Sequence, residues 1–289
     1  MSSLKEIRAR IASVSSTRKI TSAMKMVSAA KLRKASDRTL QFVPYKDKLG
    51  EVLARYLGSM DSEELHLPLA TPREIKKVAL VAISSNSGLC GTYNSNIQRL
   101  VNAAYERHQK AGHEIILITI GKKISEYARR SGKNAIRDYM MLAEKPDYAS
   151  ASDFALKLSE MFLSGEVDSV EILYNHFRNA GVQVPTTEQY LPLSIIKDEG
   201  KKENTLYFVE PDPETLINDL VPIVVRMKMY ATLLDASTAE HGARTTAMQI
   251  ASDNAEKMIS SITQQYNRAR QGVITSELID IVSGSEAQK

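Results

Sequence analysis

The sequence predicts an α/β protein in which a long antiparallel α-helical coiled coil, made from the two ends of the chain, carries an inserted α/β domain. Three observations predict it. Pro222 to Gly284 reads as one helix of about sixty residues, or ~95 Å at ~1.5 Å per residue, longer than a globular domain can use. The first forty residues carry a second helical pattern. Between the two lie short apolar runs alternating with amphipathic segments, the grammar of a parallel sheet covered by helices.

At the N-terminus, Ser3 and Glu6 form a capping box, a hydroxyl followed three residues later by a carboxylate. Leu4, Ile7, Ile11 and Val14 mark the first apolar stripe, at three-then-four spacing. The stripe then slips and resumes at Ile20, Met24 and Val27, as a local change of coiled-coil winding would. Small residues between them (Ala9, Ala12, Ala23, Ser28, Ala29) allow close helix approach but bury little apolar area, so the expectation is a slender hairpin that needs an outer sheath. The helix is expected to pause before Pro44, because the residue preceding a proline avoids the α region, and to resume over Tyr45–Leu57. Gly58–Pro72 reads as a loop.

Val78–Ile83 is a continuous apolar run, as in a strand buried on both faces. A Ser/Asn/Gly turn follows at Ser84–Gly91. Asn94–Lys110 is an amphipathic helix, Ile115–Ile120 a strand, Lys122–Ser131 a helix, Ala149–Leu163 a helix and Ser169–Tyr174 a strand. Gln183–Ile196 and Leu206–Val209 read as edge or antiparallel strands. Residues 75–210 are thus assigned to a Rossmann-like domain, 1–57 to the N-terminal helix, 58–74 to a linker and 211–289 to the C-terminal helix.

Asp212 with Pro213 marks a helix start, and Pro222 implies a short helix before the long one. Along the long helix Met248, Ala251, Ala255, Met258, Ile262 and Ala269 form a seam interrupted by Gln265. Gly242 and Gly272 each weaken it by about 1 kcal/mol against alanine, too little to stop a helix held by packing. The C-terminal helix outruns its partner, so a tip at about Thr275–Gly284, carrying Ile274, Leu278, Ile281 and Val282, is expected to stand alone and to need a socket in another protein.

Composition narrows the function. One cysteine, Cys90, excludes an internal disulfide framework and suits a reducing compartment. No apolar run approaches ~18 residues, so no membrane span is expected. Residues 1–40 hold ten Lys/Arg against two acids, Glu6 and Asp37. That is the composition of a transit peptide, of a helix that binds nucleic acid or an anionic membrane surface, of a solvated coiled-coil face or of a helix facing an acidic protein. The helical pattern runs on without a cleavage-like break, which argues against the first. Arg8, Arg18, Lys25, Lys31 and Arg33 are spread round the helix, which favours a surrounding protein over a single groove; a coiled-coil nucleic-acid-binding protein is the alternative. Ser87-Gly88-Leu89-Cys90-Gly91 sits where a phosphate-binding loop would, but it lacks both the G-x-G-x-x-G pattern and a lysine followed by Ser/Thr, so a tight turn is the better reading. The five histidines are scattered without metal-ligand spacing, and none lies near Cys90 to activate it. No metal, cofactor or catalytic group is expected. Arg268 and Arg270, two apart and so on different faces of the helix, are placed to grip carboxylates on more than one neighbour.

These residues resemble one family closely, the γ subunits of F-type ATP synthases, in their bacterial form. Four stretches carry the resemblance: Leu4-Lys-Glu-Ile-Arg8 with Ile11–Val14 and Thr17–Lys31; Gly88-Leu-Cys-Gly91; Glu240-His-Gly-Ala-Arg244 with Ala247-Met248 and Asp253-Asn-Ala255; and Tyr266–Gln271 with Ile274–Glu277 and Ile281–Gly284. Thr92 and Ser285 depart from the family's usual Gly and Ala, and the cysteine-bearing regulatory insert of chloroplast members is absent. The resemblance implies a non-catalytic rotor shaft for the F1 part of the enzyme, coupling proton flow through a membrane c-ring to ATP synthesis or hydrolysis at the β subunits. It implies as partners the α and β subunits of an α3β3 ring, the ε subunit and the c-ring, with no nucleic acid, and a peripheral place on the cytoplasmic face of the bacterial inner membrane. Carried over residue by residue, it implies subunit contacts at Met24 and Lys25, at Arg244, and at Arg270, Gln271, Thr275 and Glu277; Arg268 joins them on the spacing argument.

Overall fold

The computed structural model describes residues 4–58, 67–136, 139–193 and 212–286. In chain order they form α1 (Leu4–Gly58), β1 (Lys77–Ile83), α2 (Tyr93–Lys110), β2 (Glu114–Ile120), α3 (Lys122–Arg130), β3 (Ala135–Ile136), α4 (Met140–Glu144), α5 (Tyr148–Leu163), β4 (Ser169–Asn179), β5 (Val182–Leu191) and α6 (Pro213–Glu286). The chain forms two compact units, Met1–Ser28 with Thr245–Lys289, and Ala29–Arg244. Helices α1 and α6 contribute to both.

In the larger unit the strands form one sheet of order β3-β2-β1-β4-β5. Strands β1 to β4 are parallel and β5 closes the edge antiparallel to β4. The alternating side chains of β1 explain why its run is apolar throughout. Val78, Leu80 and Ala82 face Ile97 and Val101 of α2 and Ile124 and Ala128 of α3. Ala79, Val81 and Ile83 face the other way, into a core built from Phe154, Leu158 and Phe162 of α5, Leu53 and Leu57 of α1, and Val221, Val225 and Leu233 of α6. The sheet core therefore reaches beyond residues 75–210 into both long helices. β3 and α4 were not legible in the sequence, being two and five residues long. Ser3, the Leu206–Val209 segment and the end of the Gln183–Ile196 segment lie outside the described residues.

Neither proline breaks its helix. α1 runs through Pro44 and α6 through Pro222. Each proline forfeits one helical hydrogen bond. Pro44 is exposed, as is Leu40 one turn back, so the freed carbonyl there can turn to water, and burial of Leu53, Tyr56 and Leu57 holds the following turns. On α6, Val221, Val225 and Met229 do the same across Pro222. Gly242 serves a different purpose. A Cβ there would sit 3.0 Å from the Phe177 ring and 3.3 Å from the Ala180 Cα, so glycine lets the β4–β5 hairpin lie against the helix.

The smaller unit is an antiparallel pair of helices. Partners on α1 rise in number as those on α6 fall: the Arg8 guanidinium donates to the Tyr266 hydroxyl (2.8 Å), Arg18 pairs with Glu256 (3.3 Å), the Thr21 and Ser252 hydroxyls share a hydrogen bond (2.7 Å) and Lys25 donates to Gln249 Oε1 (2.6 Å). The expected slip does not occur. From Leu4 the seam keeps strict heptad spacing through Ile7, Ile11, Val14, Arg18, Thr21, Lys25 and Ser28, all at least half-buried. Ile20 and Val27 are 60% and 58% exposed. On α6 the seam passes through Met248, Ser252, Ala255, Ile259, Ile262, Tyr266 and Ala269, with Met258 and Gln265 outside it. On α1 the cause is that polar side chains which bond across the seam sit where the pattern of apolar residues predicted a gap; on α6 Ile259 and Tyr266 take the places expected of Met258 and Gln265. Exposure of the tip begins at Arg270, five residues earlier than expected, and is continuous through Ser285.

Candidate functional site

In a doubly wound sheet the crevice at the carboxyl ends of the strands, where the order reverses, is the usual ligand site. Here that place is beyond β1, at the Ser84–Gly91 turn. Its polar groups are used internally. Three backbone amides at the start of α3 donate to it: Lys122 to Asn86 Oδ1 (2.9 Å), Lys123 to the Ser85 carbonyl (3.1 Å) and Ile124 to Ser84 Oγ (3.0 Å). These are amides the helix itself leaves unpaired. Gly121, at φ 99°, makes the approach possible, since a Cβ there would lie 2.2 Å from the Ser84 carbonyl oxygen.

Helix α6 fills what remains of the crevice. Cys90 and Tyr93 pack against Ala239 and Ala243, and the Tyr93 hydroxyl donates to the Ala236 carbonyl (2.9 Å). Arg244 donates to Ser87 Oγ (2.9 Å) and, at 3.5 Å, to the carbonyls of Ser87 and Gly88. Its other terminal nitrogen bonds Glu240 Oε1 at 2.6 Å, one helical turn back. The two side chains are 10% and 11% exposed. Burial raises the Glu240 carboxyl above its ordinary range although Arg244 pulls it down. His241 is pushed down to about 4, first by burial and then by Arg244 and Lys31. Burial also raises the Cys90 thiol, so it is a packed side chain and not an activated nucleophile. The result is a turn clamped from behind, with Leu89 held at φ 62° and 63% exposed at its tip. Sequence reasoning named Arg244 but missed its partners. Glu240 was legible from its four-residue spacing to Arg244 on a helix; Ser87 was not, being 157 positions away.

The other expected contact residues fall in the smaller unit. Met24 is half-buried, while Met26 beside it is 65% exposed. Lys25 lies in the seam, bonded to Gln249. The basic residues Arg8, Arg18 and Lys25 thus each bond across the helix pair, which draws on part of the cationic surface a nucleic-acid reading needs. Arg268, Arg270, Gln271, Thr275 and Glu277 are exposed. The Thr275 hydroxyl donates to the Gln271 carbonyl (2.9 Å). The four charged and amide side chains of that stretch form no bond among the described residues. Around them stand Val273, Ile274, Leu278, Ile279, Ile281 and Val282, all exposed. None of the described helices is long and apolar enough to cross a membrane, and no cluster of metal-ligating side chains occurs among the described residues.

A family model described as ATP synthase matches residues 3–288. The chain is 45% identical to the ATP synthase gamma chain of Phocaeicola vulgatus, over 99% of this chain and 100% of that one. It is 42% identical to that of Flavobacterium johnsoniae, over 99% of each. In fold it is similar to a chain of the Euglena gracilis mitochondrial ATP synthase (OSCP/F1/c-ring), with a TM-score of 0.67 and 18% identity over 99% of this chain and 94% of that one. A chain of the Tetrahymena thermophila mitochondrial ATP synthase central stalk and c-ring gives a TM-score of 0.58 and 24% identity, over 81% of this chain and 99% of that one.

Proposed function

We propose, because this chain belongs to the ATP synthase family and within it to the gamma chains, that its exposed helical surfaces are the contacts through which a rotor drives its sleeve. The chain is the central rotor shaft of the F1 part of the enzyme, a non-catalytic subunit and a peripheral part of a membrane complex. The sleeve is the ring of three α and three β subunits. In this reading the α/β domain stands with the ε subunit on the c-ring, at the cytoplasmic face of the bacterial inner membrane. Proton flow turns the c-ring, the shaft turns with it, and its asymmetric surface takes each β site in turn through different affinities for nucleotide.

The observation that carries the reading is the tip of α6. It presents Ile274, Leu278, Ile279, Ile281 and Val282 on a helix with no covering partner among the described residues. Such a surface needs a lining from another protein. Arg268, Arg270, Gln271, Thr275 and Glu277 meet the β subunits there, and Met24 and Lys25 meet them lower down. Lys25 has one of its three protons on Gln249 and two left to donate. Arg244 acts through the turn it clamps, holding Leu89 out toward a β loop. Exposed pairs worth about 0.2–1 kcal/mol suit a contact that must break at every step, whereas a deeply buried pair would lock the shaft.

Native mass spectrometry of the gently purified complex tests this. One copy of this chain with three copies each of two P-loop ATPase chains is the expected particle. A lone monomer or dimer, or a particle rich in nucleic acid, would sink the reading.

A further inference from the structure

One cavity of the α/β unit, about 790 Å3 beside Thr39, Tyr174 and Lys228, has its charges paired internally: Lys228 with Glu188, His176 with Asp235 and Lys46 with Asp47. It offers a ligand no spare polar handle. A second cavity differs. It measures about 380 Å3 and opens between α1, the start of α5 and α6. That is within the range of small-molecule sites.

Its wall is aromatic. The Tyr230 ring stands between Phe42 and Tyr148, with centroids 4.7 and 5.7 Å away and planes at 81° and 90°. Arg38, one turn before Phe42 on α1, and Lys145 stand at its rim with Gln41. Neither cation forms an ion pair or hydrogen bond among the described residues, and the same holds for the Gln41 amide and the Tyr148 and Tyr230 hydroxyls. The one acid of the lining, Asp147, caps α5, its Oδ1 accepting from the Ser150 amide at 2.9 Å, and it feels the charge of Lys145, which leaves Arg38 as the unopposed cation. The cavity therefore has a surplus of donors and positive charge next to flat rings.

We propose that this cavity binds a small anion carried on a flat ring, the chemistry a nucleoside monophosphate shares with an aromatic carboxylate. The ring packs against Tyr148 and Tyr230, and the anionic group takes hydrogen bonds from the Arg38 guanidinium and the Lys145 ammonium. A guanidinium presents two parallel donors, so it fits a phosphate or carboxylate edge better than a lone ammonium does. The site is separate from the Ser84–Gly91 turn, whose carbonyls and side chains bond to α3 and Arg244.

Isothermal titration calorimetry on the full chain tests it, with AMP, benzoate, adenosine and inorganic phosphate as probes. The expected result is saturable one-site binding of AMP or benzoate, at least about tenfold tighter than adenosine or phosphate. Whichever of the first two binds tighter names the anionic group. Arg38→Gln and Tyr148→Ala, both at exposed positions, should each weaken that binding about tenfold while leaving the far-ultraviolet circular dichroism unchanged. Phosphate binding as tightly as AMP and benzoate, binding that survives both substitutions, or no saturable binding of either ring-bearing anion would overturn the proposal.

Discussion

Arg244 shows how much one side chain can be asked to do. It pairs with a carboxyl whose pKa burial raises, and it ties a turn of the sheet to a helix some 157 positions on. Arg244→Ala removes the hydrogen-bonded partner of the buried Glu240 and leaves it only the more distant charge of Lys31, so we predict a loss of about 3–5 kcal/mol in urea unfolding. Replacing both residues by apolar ones of similar volume should recover much of it. A small loss from the single substitution would show that the clamp is slack. His241 beside it supplies a pH signature. Its folded value, about 4, lies below the ordinary 6.5. Between those values the unfolded chain binds a proton that the folded chain refuses, so this contribution is complete above about 6.5 and is lost as pH falls toward 4. Asp235 and Glu240, both raised by burial, act in the opposite sense, their contribution falling as pH rises through their folded values. The comparison to make is therefore between the wild type and His241→Gln. The variant should lose less stability between pH 6.5 and 4, and identical slopes would contradict the assignment. Arg244 was legible as a candidate contact through the family resemblance, but its inward orientation was not, because that depends on a hydrogen bond far along the chain.

At the scale of elements, the central strand of the α/β unit was legible because it is buried on both faces, and its longer helices because each keeps one apolar face. β1 is buried on both faces, and a strand of that kind has to be apolar throughout. The coiled-coil seam was legible only in part. Apolar spacing points to Ile20 and Val27, while the heptad counted from Leu4 points to Arg18, Thr21 and Lys25, and the structure follows the heptad. Hydropathy fails there because cross-seam hydrogen bonds replace apolar contact, as a polar residue in a coiled-coil core does when it fixes register. The two readings agree at Ile262 and part at Ile20. Ile262, at 4% exposure, should cost about 2–5 kcal/mol on truncation to alanine. Ile20, 60% exposed, should change stability by no more than about 0.5 kcal/mol. Thermal unfolding of the isolated chain, followed by circular dichroism, checks both. A large loss at Ile20 would restore the slipped seam.

At the scale of the whole molecule, the chain is a mechanical part whose surface, not any reactive group, carries the function. Met24 is half-buried beside the exposed Met26. Met24→Lys adds a second positive charge next to Lys25 at a proposed β contact. We predict poorer coupling of ATP hydrolysis to proton pumping with hydrolysis largely kept; pumping and hydrolysis falling in strict proportion would reject it. The most direct test of the rotor role is to fix the α3β3 ring to a surface, attach a probe to an exposed position of this chain's α/β domain, and watch it while ATP is hydrolysed. A rotor shaft predicts continued turning in one direction with three stops in each revolution. A probe that stays still while hydrolysis proceeds at its normal rate would contradict it.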